Sequence, residues 1–345
     1  MLPNVPNASN DKTEISVMVD MLIALVMLSV VSVYYYGMRA AAVLVITVLT
    51  CCITDFICIK LRKKEFVKGD ISAVVTGLTL GLMMSASVTY YAAVISAVFA
   101  IAAAKHAFGG HGCEIFNPAA AGFLFASICF PDSMLTYPRA FAEIPMSSLV
   151  PESLLGQSLT KTFITTEASS VSVLDTLVGK FYGPMGAGFV IVLAVAAMFL
   201  IFRRSISGIR FFSQALVLGI IAFVHYDQNP LYLLYFFSSG MLIFSMTFLS
   251  LEYGNIPKTK SSRLIYGVVW GLITALFHFA AHTENAAVYA AIISAPIGIE
   301  LNRRSVSFAE MIKNKRGIFR RTNKSLKHVA ETLEMLDNKE QGDKK

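Results

Sequence analysis

The chain of 345 residues is strongly apolar: 55% of its side chains are hydrophobic, 15% are charged and the mean hydropathy is +0.63. This composition lies far from that of soluble globular domains, so it excludes a water-soluble protein and predicts an integral membrane protein. The formal net charge is +7, and most of it lies after residue 301, where there are twelve Lys or Arg and six Asp or Glu. This excess of basic residues in the tail therefore indicates membrane topology and excludes nucleic-acid binding.

Ten apolar segments follow one another along the chain. A helix needs about 20 residues to cross roughly 30 Å of hydrocarbon, and segments chosen by this rule span 15–36, 38–60, 70–85, 88–107, 118–130, 186–202, 209–224, 231–251, 264–280 and 286–301. They predict an all-α membrane protein of about ten transmembrane helices. Because residues 1–14 lack a basic start and a cleavage pattern, we expect the first helix to be retained rather than removed as a signal peptide.

A polar insert divides this series of segments into two membrane halves. Five segments lie in residues 15–130 and five in residues 186–301, with the insert 131–185 between them. An odd number of helices per half makes two similar halves cross the membrane in opposite directions. The sequence therefore predicts two inverted five-helix halves.

Lysine and arginine mark one side of the membrane, because these residues are costly to translocate. The even-numbered connections and their flanks are basic, whereas the short odd-numbered connections hold only Arg39. The residues that carry this asymmetry are Lys60, Arg62, Lys63, Lys64, Lys68, Lys105, Arg203, Arg204, Arg210, Lys258, Lys260 and Arg263. Both termini, residues 1–14 and the basic tail 302–345, are therefore predicted to be cytoplasmic and the insert extracytoplasmic.

The most unusual local stretch separates the fourth and fifth segments and reads Phe-Gly-Gly-His-Gly-Cys-Glu-Ile-Phe-Asn-Pro over residues 108–118. Gly110 and Gly112 permit a close approach of the backbone, and the pair Asn117 and Pro118 is typical of a helix start. Free amides at such a start can face an anionic group, so these four residues are candidates for holding a cofactor. A tight turn between two membrane helices is the alternative.

Acidic residues inside apolar runs are a second set of candidates, because ionisable groups at membrane depth are costly without a partner. Asp20 lies within the run 17–26 and Asp55 within the run 51–59, so each requires a polar partner, an ion or another protein of a complex. Glu252 is a third candidate for an ion pathway or a subunit contact. Placement at the membrane interface is the alternative for any single one of them.

The five cysteines and six histidines show neither paired-ligand spacing nor a disulfide framework. A nicotinamide-binding glycine pattern and an iron–sulfur cysteine set are also missing from the sequence. We therefore expect no metal site, and no catalysis by the isolated chain.

Three blocks of the sequence, read in order, resemble the D-type membrane subunit of the Rnf-type electron-transport complex and its relative, the B-type subunit of the sodium-translocating NADH:quinone reductase. They are Met18–Leu25, with an aspartate early in the first helix, Gly69–Leu78, with the pattern Asp-x-Ser-Ala-Val-Val-Thr-Gly, and the glycine-rich run Gly109–Ala120. The likeness covers most of residues 15–301 and is weaker in the second half, notably at residues 251–257.

The resemblance implies a flavin, because members of this family carry FMN joined through its phosphate to the threonine of a Ser-Gly-Ala-Thr motif in the outer insert. The nearest remnant here is Thr166-Glu167-Ala168-Ser169, which places Ser169 at the acceptor position. Glu167 replaces the glycine of the motif and would repel a phosphate. An ordinary loop serine is therefore the alternative for Ser169.

The resemblance also implies a function within a complex. The chain would be a membrane subunit that, with the other subunits, couples electron transfer between ferredoxin and NAD to the export of sodium ions or protons across the bacterial cytoplasmic membrane. Two alternatives stay open: a flavin-free scaffold subunit of such a complex, and a stand-alone secondary transporter or channel. The ordered blocks favour the complex over the transporter, whereas the degenerate flavin motif favours the scaffold.

Overall fold

The computed structural model describes residues 14–63, 70–110, 112, 114–147, 150–161, 172–226, 230–238, 241–249, 259–301, 303 and 304. This part of the chain is mostly helical, which confirms the all-α class. The helices are α1 Glu14–Leu61, α2 Ser72–Met83, α3 Tyr90–Phe99, α4 Pro118–Cys129, α5 Pro131–Met134, α6 Val173–Val178, α7 Val190–Phe202, α8 Gly208–His225, α9 Pro230–Ser238, α10 Leu242–Phe244, α11 Lys260–Ala275 and α12 Ala286–Leu301.

Three of these helices continue into π-helical turns. α3 runs on into Ala100–His106, α10 into Ser245–Leu249 and α11 into Leu276–Ala280. Turns of this kind are rare and often occur at functional sites, because they widen the helix and redirect side chains. Each of these stretches reads as ordinary helix in the sequence, so the π turns are a finding of the structure.

Helix α1 spans 48 residues and is interrupted at one glycine. Gly37 has φ 68° and ψ −158°, and a Cβ atom built on it would meet nothing within 4 Å. Glycine is therefore favoured at this position by backbone conformation rather than by lack of space. The interruption separates the two segments predicted at 15–36 and 38–60.

Small residues let helix α2 approach α1 closely. A Cβ atom built on Gly77 would lie 2.7 Å from Val48 Cα, and one built on Gly81 would lie 2.7 Å from Thr47 Oγ1. In a membrane, where apolar burial between helices contributes little, such close backbone packing is a main source of association. Most of α2 is buried as a result.

The connection between α2 and α3 is a buried, non-helical stretch whose backbone groups are satisfied by the protein. The carbonyl of Leu82 accepts from the amide of Gly186 at 2.7 Å, and the carbonyl of Met84 accepts from the amide of Met185 at 3.1 Å. Arg39 donates to the next carbonyls of this stretch, those of Ala86, Ser87 and Val88. Irregular backbone is tolerated at such depth only where protein groups replace water in this way.

The insert between α4 and α7 packs against α1 near its interruption at Gly37. Its strands β1 Tyr137–Pro138 and β2 Leu155–Gly156 pair in antiparallel fashion. The hydroxyl of Tyr35 donates to the carbonyl of Val178 at 2.9 Å, and the amide of Phe141 donates to the carbonyl of Tyr35 at 2.9 Å. The insert is thus attached to the membrane part by α1.

By length and apolar composition, three helices of the described chain could cross a membrane: α1, α8, and α11 with its π turn. A fourth results if α9 and α10 with its π turn, which are bent by 62° relative to each other, form one broken span. The sequence predicts an unbroken helix over 231–251, and here the structure differs.

Candidate functional site

A buried charge cluster joins α1, α2 and the π turn after α3. The Asp55 carboxylate accepts hydrogen bonds from Lys105 Nζ at 2.8 Å and from His106 Nε2 at 2.7 Å, both on Oδ1. Lys105 Nζ also donates to Ser72 Oγ at 2.7 Å. All four side chains are buried, so the negative charge of Asp55 is balanced within the chain rather than by an ion or another protein.

The π turn explains how two adjacent residues reach one carboxylate oxygen. On an α-helix of 3.6 residues per turn, consecutive side chains point about 100° apart. Lys105 and His106 end a stretch with i→i+5 hydrogen bonds, and this wider turn reduces the angle between successive side chains. Asp70 supports the facing helix start, because its Oδ1 accepts from the amide of Ser72 at 2.9 Å.

The glycine-rich run directly follows this cluster and ends the π turn. The amide of Gly109 donates to the carbonyl of His106 at 3.2 Å, and the amide of Gly110 donates to the carbonyl of Lys105 at 3.1 Å. Gly109, Gly110 and Gly112 all have positive φ values, which residues with a side chain rarely adopt. The backbone conformation therefore favours glycine at these three positions.

Two of the described amides in this stretch are already engaged by the chain itself. The amide of Gly112 donates to Glu114 Oε2 at 2.9 Å, and the amide of Ala120 donates to Asn117 Oδ1 at 3.0 Å. Asn117 is thus the N-cap of α4, and Pro118 occupies its first turn. Asn117 Nδ2 also donates to the carbonyl of Phe248 at 3.4 Å, which links α4 to the π turn after α10.

Asp20 forms a second, separate ion pair. Its side chain is 1% exposed, and its Oδ1 accepts from Arg203 Nε at 3.0 Å and Nη2 at 2.9 Å. Its Oδ2 accepts from the Ser205 hydroxyl at 2.5 Å. The polar partner that the sequence requires for Asp20 is therefore the connection between α7 and α8.

Two predicted site residues fall outside the part of the chain that the structure describes. These are Ser169, the predicted flavin acceptor, and Glu252, the third acidic candidate. Of the remaining candidates, Asp55 lies next to the start of the glycine-rich run, because Lys105 and His106 bind Asp55 with their side chains and the amides of the run with their carbonyls. Asp20 has different partners and is not part of this group.

Sequence reasoning missed two charged residues on the insert side: the buried Arg39, and the half-buried Glu284, whose carboxyl oxygens are inaccessible to solvent. Arg39 counts only as a topology marker in the sequence, yet its side chain is 1% exposed. It binds the carbonyl of Pro145 at 2.7 Å as well as that of Ser147, so it ties the insert to α1. Its position shortly after Gly37 in an apolar run was the available signal. Glu284 lies in a short connection between helices and carried no such signal.

Comparison with known proteins places the chain in a family. It is 30% identical over 261 residues to the D-type subunit of the Na(+)-translocating ferredoxin:NAD(+) oxidoreductase complex of Acetobacterium woodii, an alignment that covers 76% of this chain and 79% of the relative. It is 24% identical to the D-type subunit of the proton-translocating ferredoxin:NAD(+) oxidoreductase complex of Clostridium ljungdahlii, over 79% of this chain and 84% of the relative.

A relative from a third organism and a family model agree with these two. The D-type subunit of the ion-translocating oxidoreductase complex of Methanosarcina acetivorans is 25% identical, over 79% of this chain and 84% of the relative. The family model for NQR2, RnfD and RnfE matches residues 2–297. The resemblance carried by the three sequence blocks is thereby confirmed. This multi-pass membrane protein belongs to the NQR2, RnfD, RnfE family.

Proposed function

We propose that the chain is the D-type membrane subunit of a complex that couples electron transfer between ferredoxin and NAD to the export of sodium ions or protons. The observation that carries this proposal is the family match over residues 2–297, together with relatives that are themselves named as the D-type subunits of such complexes. The other subunits of that complex are its partners and supply the nicotinamide-binding and iron–sulfur chemistry.

We further propose ten membrane segments with both termini cytoplasmic and the insert outside. Arg39, which binds the insert, and Asp55, which binds Lys105, lie on the same segment of α1. They are separated by 55 − 39 = 16 residues, or about 24 Å of helix. The lysine-rich end and the insert end therefore lie near opposite faces of the hydrocarbon layer, as the positive-inside distribution requires.

Similar π turns and similar pairs of closely packed glycines in the two proposed halves support the inverted arrangement. A π turn, Ala100–His106, precedes the final helix α4 of the first half, and another, Leu276–Ala280, precedes the final helix α12 of the second. Gly77 and Gly81 pack tightly on α1, and Gly267 and Gly271 pack tightly on α8. Each pair is separated by four residues on one face of its helix.

Among the described residues of the glycine-rich run, the amides of Gly112 and Ala120 are not free to hold the phosphate of a flavin. The Gly112 amide is bound by the Glu114 carboxylate, and the Asn117 side chain caps the start of α4. An incoming phosphate would have to displace these partners and would meet the negative charge of Glu114. We therefore place no cofactor at Gly110, Gly112, Asn117 or Pro118, and the proposal of FMN rests on Ser169 in the insert.

The alternative of a flavin-free scaffold subunit is favoured by one observation. The Glu114 carboxylate occupies the Gly112 amide, which an anion could otherwise use. In that case Asn117 serves assembly, because it joins α4 to the π turn after α10. The two functions differ in whether the chain carries a covalent flavin.

Fluorescence of the denatured complex tests for a covalent flavin on this chain. The complex, purified with its partner subunits and denatured, is expected to show flavin fluorescence under ultraviolet light at the gel band of this chain. Ser169→Ala is expected to abolish the fluorescence, whereas Ser153→Ala, a matched change elsewhere in the insert, leaves it unchanged. A dark band in the unmodified protein would support the scaffold and remove FMN.

The place of the chain in a complex is tested separately. Inverted membrane vesicles from cells lacking the chain are expected to lose NAD reduction by reduced ferredoxin together with ion uptake, and both are expected to return with the unmodified gene. Full retention of ferredoxin-dependent NAD reduction would contradict the proposal. Ion transport by the purified chain alone in liposomes would instead support a stand-alone transporter.

A further inference from the structure

Glu284 is half-buried as a residue, but the protein encloses its carboxyl group. It lies in the connection between the π turn Leu276–Ala280 and α12. Both of its carboxyl oxygens are inaccessible to solvent and lack a hydrogen bond of ordinary geometry, and the Tyr137 hydroxyl is in the same state. The hydroxyls of Tyr137 and Ser158 nevertheless stand beside the carboxyl group, and Lys161 lies close enough to influence it. Three parts of the chain therefore meet at this carboxyl.

These neighbours come from the insert, and the insert holds them in place. Tyr137 belongs to strand β1 and is 0% exposed. Ser158 and Lys161 follow strand β2, where the amide of Lys161 donates to Ser158 Oγ at 3.1 Å and the amide of Leu159 donates to the carbonyl of Tyr182 at 3.1 Å. Glu284 is thus enclosed by a pre-formed pocket of hydroxyl groups rather than by a loose loop.

Comparison with the ion-paired acids Asp20 and Asp55 shows how Glu284 differs from them. Arg203 and Lys105 bind Asp20 and Asp55 directly, at 2.9 Å and 2.8 Å. No such direct ion pair with Glu284 occurs among the described residues, although burying an ionised carboxylate without one is costly. A carboxyl group in this position can lower that cost by taking up a proton, after which its O–H can donate to a neighbouring hydroxyl.

The surroundings of Glu284 have opposing effects on the pKa of its carboxyl group. Burial raises the pKa of the Glu284 carboxyl, whereas the hydroxyls of Ser158 and Tyr137 and the charge of Lys161 act to lower it. Burial likewise raises the pKa of Tyr137 well above its usual value, and Glu284 and Tyr36 add to that effect. The phenol therefore stays protonated and is available as a donor to the carboxylate.

We propose that Glu284 is a proton-binding site at the insert-facing end of the second half, built by the hydroxyls of Tyr137 and Ser158 and adjusted by Lys161. Its ionised form accepts from the two hydroxyls, and its neutral form gives one proton back when it ionises. Proton binding by this group is argued from the enclosure of both carboxyl oxygens and of the Tyr137 hydroxyl, and it does not require the proposed function. Its part in ion export, as the proton-binding group on the outer side, rests on the proposed function.

The test uses dicyclohexylcarbodiimide, which reacts with neutral carboxyl groups in apolar surroundings. The intact complex in membrane vesicles is treated over a series of pH values, and modified residues are located by mass spectrometry. Modification of Glu284 is expected to persist to a higher pH than that of an exposed glutamate and then to fall, because ionisation removes the reactive form. Absence of modification over the whole series, or protection by added sodium chloride at constant pH, would overturn the proposal, the second outcome indicating a sodium site.

Matched variants test whether the pocket causes the pH dependence of modification at Glu284. Glu284→Gln removes the residue that is modified. Glu152 is an exposed acid of the insert, and Glu152→Gln is expected to leave modification of Glu284 unchanged. Tyr137→Phe and Ser158→Ala each remove a donor to the ionised form, so the midpoint of modification is expected to move to higher pH, by about one unit. An unchanged midpoint in both variants would contradict the pocket as its cause.

Transport separates this proposal from the proposed function. Vesicles with Glu284→Gln are expected to assemble the complex and to reduce NAD with ferredoxin, while proton export per electron falls several-fold. Unchanged proton export in this variant would overturn the role in export, although the complex itself would stand. Loss of ferredoxin-dependent activity upon deletion of the whole chain tests the complex independently.

Discussion

At the scale of single residues, the buried acids differ in what balances their charge. Asp55 shares one oxygen with Lys105 and His106, Asp20 is held by Arg203 and Ser205, and Glu284 has hydroxyl groups beside it in place of a direct ion pair among the described residues. The sequence identifies Asp20 and Asp55 because each interrupts an apolar run. It could not identify their partners, since Lys105 and Arg203 lie 50 and 183 positions away.

The Asp55–Lys105 pair makes a prediction about stability. Asp55→Asn leaves the ammonium of Lys105 buried with a weaker partner, so a loss of roughly 3 to 5 kcal/mol in the free energy of unfolding is expected. The double variant with Lys105→Met removes both charges and is expected to recover much of that loss. Thermal unfolding of the purified protein in detergent measures both changes.

An exposed pair serves as the control for this experiment. Glu300 pairs with Arg304 at the end of α12, at 2.8 Å and in solvent, so Glu300→Gln is expected to leave the unfolding midpoint almost unchanged. Additive losses from Asp55→Asn and Lys105→Met would mean that the two side chains do not interact, and would contradict the cluster.

At the scale of helices, glycine spacing positions one element on another. Helix α2 meets α1 at Gly77 and Gly81, whereas α11 meets α8 at Gly267 and Gly271. The predicted segment 70–85 approximates α2, and 286–301 coincides with α12, because the apolar runs end at polar or helix-breaking residues. The π turns could not be predicted, since Ala100–His106 and Leu276–Ala280 have ordinary helical composition and the extra residue per turn is selected by tertiary packing.

Substitution of Gly77 tests this packing. A Cβ atom in Gly77→Ala would lie 2.7 Å from Val48 Cα, a backbone atom that cannot rotate away, so α2 would have to move from α1 at a cost of about 1 to 3 kcal/mol. Gly219→Ala on α8 is the matched control, because its Cβ would lie at an ordinary 3.8 Å from Phe237. Equal unfolding midpoints for the two variants would contradict the close approach.

At the scale of the whole molecule, the structure connects the insert with α1 and with the stretch that precedes α12. Arg39 binds it to α1, and Glu284 meets it from the second half. The position of the insert between α4 and α7 follows from the sequence, because residues 131–185 interrupt the apolar segments. Its attachment could not be predicted, since the burial of Arg39 and the position of Tyr137 arise only from long-range packing.

The orientation of the chain gives the last prediction. In a background without native cysteines, Ser153→Cys in the insert and Lys63→Cys after α1 place one exposed thiol on each side of the proposed membrane. A membrane-impermeant maleimide is expected to label the cysteine at position 153 in intact cells, and the cysteine at position 63 only after the membrane is permeabilised, because lysine-rich connections stay in the cytoplasm. Labelling of both residues after permeabilisation shows that both thiols are reactive. The reverse pattern in intact cells would place Glu284 on the cytoplasmic side and contradict the topology on which its role in ion export depends.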